Sequence, residues 1–236
     1  MINICIIYGG NSALIKKILP TFSKSFDKVV LISRKIDIYD KKIITLEYNL
    51  INDIFDELSK LIEGNNVTFI SAAAYSSDKL FVLENAETID ASIKVNVLNN
   101  IELIKFIINK NIPLKKGLFI FISSFRSDIP TNGTLIYSAS KKFIETLFNG
   151  LAIEYSRFHM RFVTLKIGLF EGGLVDKLPF DIHSEKIIKN NIASGRTSNA
   201  IDILNALNFI IENEYLTGCE IDLTGKIKLD LNINEA

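Results

Sequence analysis

Short runs of Ile, Val, Leu and Phe alternate along the chain with longer stretches in which apolar residues recur every three or four positions. Runs of five to seven apolar or β-branched residues suit strands buried on both faces, and the longer periodic stretches suit helices that cover them. The pattern predicts strands over 3–8, 28–33, 43–47, 67–72, 117–123, 161–167 and 220–224. Helices are expected in the gaps, the two best defined over 88–110 and 134–156. Strand and helix alternating in this way define an α/β, Rossmann-like doubly wound and mostly parallel seven-stranded sheet with helices on both faces. Asn132-Gly133 is a turn signal just before the second of those helices.

The length of 236 residues fits one domain, 1–236, with a substantial core and no room for a separate substrate domain. Twenty-seven basic residues balance 27 acidic ones, and the two signs are interspersed, which argues against a nucleic-acid or membrane-surface partner. No basic leader precedes the first apolar run, and no apolar run approaches the roughly 18 residues of a membrane span, so a cytoplasmic protein is expected. Two cysteines (Cys5, Cys219) and two histidines (His159, His183) do not make a zinc-ligand set, and no metal is expected.

Candidate chemistry changes the picture at four positions. A Tyr-x-x-x-Lys pair occurs twice, at Tyr75/Lys79 and at Tyr137/Lys141. On a helix this spacing puts both side chains on one face, where an ammonium favours the phenolate and moves the phenol toward the working range of an acid/base catalyst. Ser124 lies 13 positions before Tyr137 at the end of an apolar strand, and Asn96 lies 28 positions before that serine. The same offsets counted back from Tyr75 reach Ile62 and Arg34, so Tyr75/Lys79 is a chance pair.

Asn96, Ser124, Tyr137 and Lys141 at these separations resemble the catalytic tetrad of the short-chain dehydrogenase/reductase family. The likeness extends along essentially the whole chain. Gly9-Gly10-Asn11-Ser12-Ala13-Leu14-Ile15 stands where the family carries its glycine-rich turn, Ser71-Ala72-Ala73-Ala74 where it has Asn-Asn-Ala-Gly, Gly168 in its Pro-Gly segment, and Thr217-Gly218-Cys219-Glu220-Ile221 in its last strand. The resemblance implies that Tyr137 is the general acid in reduction and the general base in oxidation. Ser124 would orient the carbonyl oxygen, Lys141 would also bond the nicotinamide ribose, and Asn96 would hold a water linking Lys141 to solvent.

The resemblance also implies a dinucleotide site formed by Gly9, Asn11, Ser12, Ala13 and Leu14 at the turn, by Arg34 after the second strand, and by Asn49 and Leu50 near adenine. Ala72 and Ala73, Tyr137, Lys141, Gly168 and Phe170 complete it. Arg34 stands where NADP users place a cation for the 2′-phosphate, so NADP is favoured over NAD. Ala13 and Ile15 replace two glycines, Ile167 a proline and Gly172 a threonine, departures that leave a non-catalytic cofactor-binding or scaffolding protein as the alternative. Phe125, Arg126 and His183 are candidate contacts for a small carbonyl or alcohol substrate, and 171–196 corresponds to the family's lid. Apolar residues extend nearly around the helices over 88–110 and 138–156, more than one core face requires, and the resemblance implies that these helices pair between subunits in a homodimer or homotetramer.

Overall fold

The computed structural model describes residues 1–38, 40, 42–171 and 191–227. Its seven strands are β1 (Asn3–Tyr8), β2 (Lys28–Ser33), β3 (Ile43–Glu47), β4 (Asn66–Ser71), β5 (Gly117–Ser124), β6 (Met160–Ile167) and β7 (Cys219–Leu223). They form a single sheet of order β3-β2-β1-β4-β5-β6-β7, and every pairing is parallel. Each expected strand is present to within one residue at either end. The strand order reverses direction between β1 and β4, and the crevice beyond the carboxyl ends of those strands is where such sheets take their ligands.

Period-two alternation assigns the two faces. Ile4, Ile6 and Tyr8 of β1, with Phe119 and Phe121 of β5, pack against α2 (Phe55–Ile62), α4 (Asn99–Asn111) and α5 (Leu135–Glu154). Cys5 and Ile7, with Leu118, Ile120 and Ile122, pack on the other face against α1 (Ala13–Phe22) and α6 (Ala200–Glu212). Phe119 stacks on Phe162 at 4.6 Å between ring centres, and Phe148 of α5 meets Phe162 edge-on at 5.8 Å. These rings lock α5 against β5 and β6, and so fix the helix that carries Tyr137.

The helix expected over 88–110 is interrupted. α3 (Ala86–Ile93) passes through a π-helical turn at Lys94–Leu98 into α4. A π turn holds one residue more than the α-helix allows, and such turns gather at functional sites. Here the wide turn contains Asn96, whose carbonyl accepts the Asn100 side-chain amide at 2.8 Å.

Among the described residues no helix is long and apolar enough to cross a membrane, and no group of acidic, His or Cys side chains is placed to hold a metal. Cys5 is buried and Cys219 half-buried, and both are free thiols.

Candidate active site

The first turn is built by its glycine. Gly9 adopts φ +89°, and a Cβ there would collide with the backbone nitrogen of Ala73, so the end of β1 lies directly against the end of β4. Ser12 caps α1, its hydroxyl accepting from the Ile15 N–H at 3.3 Å. The N–H groups of Ala13 and Leu14 have no acceptor within the helix and point out of its N-terminus, an arrangement that favours a bound anion. Ile15, in place of a glycine, is fully buried among the side chains between α1 and the sheet. The helix accommodates the larger residue.

On α5 the buried positions Tyr137, Lys141, Ile144, Glu145, Phe148 and Ala152 form one stripe at helical spacing. Its first turn lies at the carboxyl edge of the sheet, beside the end of β5. The Ser124 hydroxyl accepts the Arg126 backbone N–H at 3.3 Å and lines the same cavity as the Tyr137 phenol, on which it acts to lower the pKa. Lys141 donates to the Ile122 carbonyl at 2.9 Å, with its ammonium 4.7 Å from the Phe121 ring centre and 5.7 Å from that of Tyr137.

A cavity of 220 Å³ gathers most of the expected site. Ser12, Ala13 and Leu14 line one end and Ile167, Gly168, Leu169 and Phe170 another, with Ala72, Ser124, Phe125, Arg126, Tyr137 and Lys141 between them. The segment after β6 is pinned by Ser198, whose N–H and hydroxyl both bond the Leu169 carbonyl at 2.8 and 3.0 Å. The glycine cradle, the open helix N-terminus and this pinned segment suit a dinucleotide laid across the carboxyl edge.

Other expected residues lie outside the cavity. Ala73 is buried beneath Gly9, and the side-chain oxygen of Asn11 is buried without a partner. Arg34 and Asn49 are exposed. Arg34 has no acidic partner among the described residues, and its charge bears on the Tyr8 phenol; the nearby acid Asp37 is paired with Lys16 at 3.0 Å. Leu50 lines a separate groove with Ile93, Lys94 and Leu98. His183 and Gly172 fall outside the described residues.

Two expectations need correction. The ammonium of Lys141 was to lower the Tyr137 phenol, yet the phenol is raised, because burial outweighs the lowering by the Ser124 hydrogen bond and the Arg126 charge. Lys141 is itself pushed down to about 7 by burial, against the opposing pull of Glu145. Asn96 was to hold a water, yet its amide is already committed to protein groups. Its oxygen accepts the Tyr75 N–H at 2.8 Å, and its nitrogen donates to the Tyr75 carbonyl (2.9 Å), Ser140 (2.9 Å) and Ser92 (3.2 Å). Asn96 thus ties the chain after β4 to α5 between Tyr137 and Lys141. Tyr75 itself lies outside any helix, so Tyr75/Lys79 is not a helical pair.

Two buried polar clusters were not anticipated. Tyr8 donates to the Val95 carbonyl at 3.1 Å and accepts from Tyr48 (3.1 Å) and Asn99 (3.0 Å). Behind Ser124, Glu145 accepts from Ser123 and Ser127 and lies 3.6 Å from the Lys166 ammonium, which also pairs with Glu220 at 2.8 Å and with Asp128. Lys166, buried in the interior of β6, was the one sequence signal for the second cluster.

The sheet order, glycine cradle and Ser-Tyr-Lys grouping define a nucleotide-dependent oxidoreductase of the Rossmann class. The family model described as "short chain dehydrogenase" matches residues 4–183, and the chain belongs to that family of NAD(P)-dependent oxidoreductases. It is similar to the 3-oxoacyl-[acyl-carrier-protein] reductase of Bos taurus, 24% identical over 77% of this chain and 74% of that protein. It is likewise similar to carbonyl reductase family member 4 of Xenopus laevis, 22% identical over 98% of this chain and 100% of that one. Two solved structures share the fold. ElxO with NADP bound has a TM-score of 0.82 at 19% identity, covering 95% of this chain and 98% of its own. 4-Hydroxyisoleucine dehydrogenase complexed with NADH has a TM-score of 0.85 at 17% identity, covering 95% and 98%.

Proposed function

We propose that this protein is an NADP(H)-dependent reductase of a small carbonyl compound, or dehydrogenase of the corresponding alcohol. The observation that carries the reading is the convergence of Ser124, Tyr137 and Lys141 in one cavity with the N-terminus of α1 and with Gly168. Arg34, exposed at the end of β2 and free of an acidic partner among the described residues, favours the 2′-phosphate of NADP over the plain ribose of NAD. The fold match to an NADP-bound protein is consistent with this choice, and the match to an NADH-bound one makes Arg34 the discriminating residue.

When bound, NADPH supplies a hydride to the carbonyl carbon. Ser124 and Tyr137 hold the carbonyl oxygen, which gains negative charge as the hydride arrives. Burial keeps the Tyr137 phenol protonated at neutral pH, so it enters reduction as a proton donor, and its O–H proton passes to the alkoxide as the C–H bond forms. Lys141, titrating near neutrality, stabilises the resulting tyrosinate and returns a proton to it. Asn96 acts at a distance, holding α5 in place through Ser140. The exposed apolar side of α5, with Ala139, Phe143, Leu147, Gly150 and Leu151 along one groove, suits pairing with a second copy in a homodimer or homotetramer.

Fluorescence titration with NADPH and with NADH tests the cofactor, with Arg34→Ala alongside. NADPH is expected to bind the more tightly and to lose affinity selectively in the variant. Tyr137→Phe is expected to keep NADPH binding and to lose about 10²–10⁴-fold in turnover. Binding of neither nucleotide would replace this reading with a non-catalytic one.

A further inference from the structure

Three cationic side chains are buried among the described residues: Arg126, Lys141 and Lys166. Lys141 has the Ile122 carbonyl, and Lys166 has three carboxylates. Arg126 differs. Its guanidinium has neither a carboxylate nor a hydrogen-bond acceptor among the described residues, and its Nε is fully enclosed without a partner. The ring of Phe125, 5.8 Å away, offers a π face but no negative charge.

Burying a cation without a counter-charge is costly, and a bound anion would remove that cost. Arg126 lines the same cavity as Ser124 and Tyr137 and follows Ser124 by two residues on a tight 3₁₀ turn. Its charge lowers the Tyr137 phenol while that of Asp78 raises it, and of these two charged groups only Arg126 lines the cavity with Tyr137. A carbonyl oxygen held by Ser124 and Tyr137 would leave the substrate's next few atoms beside the guanidinium. The planar five-donor fork suits a bidentate oxyanion.

We propose that Arg126 recognises an oxyanion on the substrate, and that the substrate is a small carbonyl compound bearing a carboxylate or phosphate near its carbonyl. The inference rests on the carbonyl-reductase reading, and it adds the substrate's charge and the residue that reads it.

The test is calorimetric titration of the protein–NADP⁺ complex, which cannot reduce a ketone, with acetoacetate, 2-oxobutanoate, dihydroxyacetone phosphate and the uncharged methyl ester of acetoacetate. NADPH oxidation by the same compounds is followed in parallel, and circular dichroism checks the fold of each variant. At least one anion is expected to bind more tightly than the ester. Arg126→Gln should shrink that preference by about 100-fold and Arg126→Lys should restore part of it. Binding of the oxo acids points to a carboxylate substrate, and binding of the triose phosphate alone points to a phosphate; either supports the proposal. Equal binding of acid and ester, no anion binding, or an unchanged preference in Arg126→Gln would overturn it. Arg126-dependent anion binding with no NADPH oxidation by any compound would leave the anion site standing and remove the reductase reading.

Discussion

A lysine enclosed by Phe121, Tyr137 and a strand carbonyl pulls stability against function. In the unfolded chain the Lys141 amine binds its proton up to the ordinary lysine range, whereas in the fold it releases it near 7. Between about pH 7 and 10.5 the unfolded state therefore holds more protons, and this group's contribution to stability rises with pH across that window. Its burden is greatest at and below pH 7. Lys141→Met should accordingly melt at a higher temperature than the wild type at pH 6–7 without cofactor, with the gap closing toward pH 10, while turnover is lost. Thermal melts between pH 6 and 9.5 measure this, and a gap that does not change with pH would mean the ammonium is fully compensated in the fold. Ser124, Tyr137 and Lys141, which share the cavity, were legible in the sequence by their spacing. The direction of the Tyr137 shift was not, because it depends on how completely the ring is enclosed, which no spacing records.

At the level of elements, the active-site edge is held by side chains that bridge between them. Asn96 joins the chain after β4 to α5, so Asn96→Ala would leave the Tyr75 N–H without its partner and the Tyr75 carbonyl with only the Ser92 hydroxyl at 3.4 Å. A loss of about 1–3 kcal/mol is expected from the unsatisfied N–H, together with a fall in kcat larger than any change in NADPH affinity. Denaturant unfolding and steady-state kinetics separate the two effects. The Glu145–Lys166 pair joins α5 to β6 beneath Ser123 and Ser127. Removing one charge from a buried cluster strands the others, and Lys166→Met is expected to lower stability by about 3 kcal/mol. If that variant unfolded at the wild-type denaturant midpoint, the cluster would contribute no net stability. The inner strands β1, β2 and β5 were legible almost to the residue because burial on both faces writes them as nearly unbroken apolar runs, whereas the edge strands β3 and β7 are short and partly exposed. The break between α3 and α4 was not, since a π turn inserts one residue without disturbing composition or amphipathic character. The Glu145–Lys166 pairing spans 21 positions and comes together only when α5 packs on β6.

On the scale of the whole molecule, the two ends of the sheet do different work. Parallel alignment brings all seven carboxyl ends to one side, so residues as distant in sequence as Ser12 and Phe170 share a cavity. The architecture was readable from the alternation of apolar runs and periodic stretches, but which adenine-side residues would join that cavity was not. Leu50 points into a groove of its own beside Leu98, because the turn after β3 faces α4. The outward side of α5 leaves Phe143 and Ile153 exposed. If this face pairs two copies, Phe143→Glu with Leu147→Lys should reduce the mass in sedimentation by half or more, and a wild type that sediments as a monomer would remove the expectation.

The π turn at Lys94–Leu98 also sets the phase of the helix beyond it. In a regular helix one added residue would rotate every later position by about 100° around the axis; the wide turn absorbs it, so the stripe of α4 that meets the sheet stays in phase with α3. Deleting a single residue between 94 and 98 would change neither charge nor hydrophobic content by much. It would nevertheless close the wide turn to an ordinary α-helical one and carry Asn96 off the Tyr75 backbone. The segment behaves as a reading frame written in three dimensions, tolerant of many exchanges of residue and intolerant of a change in number.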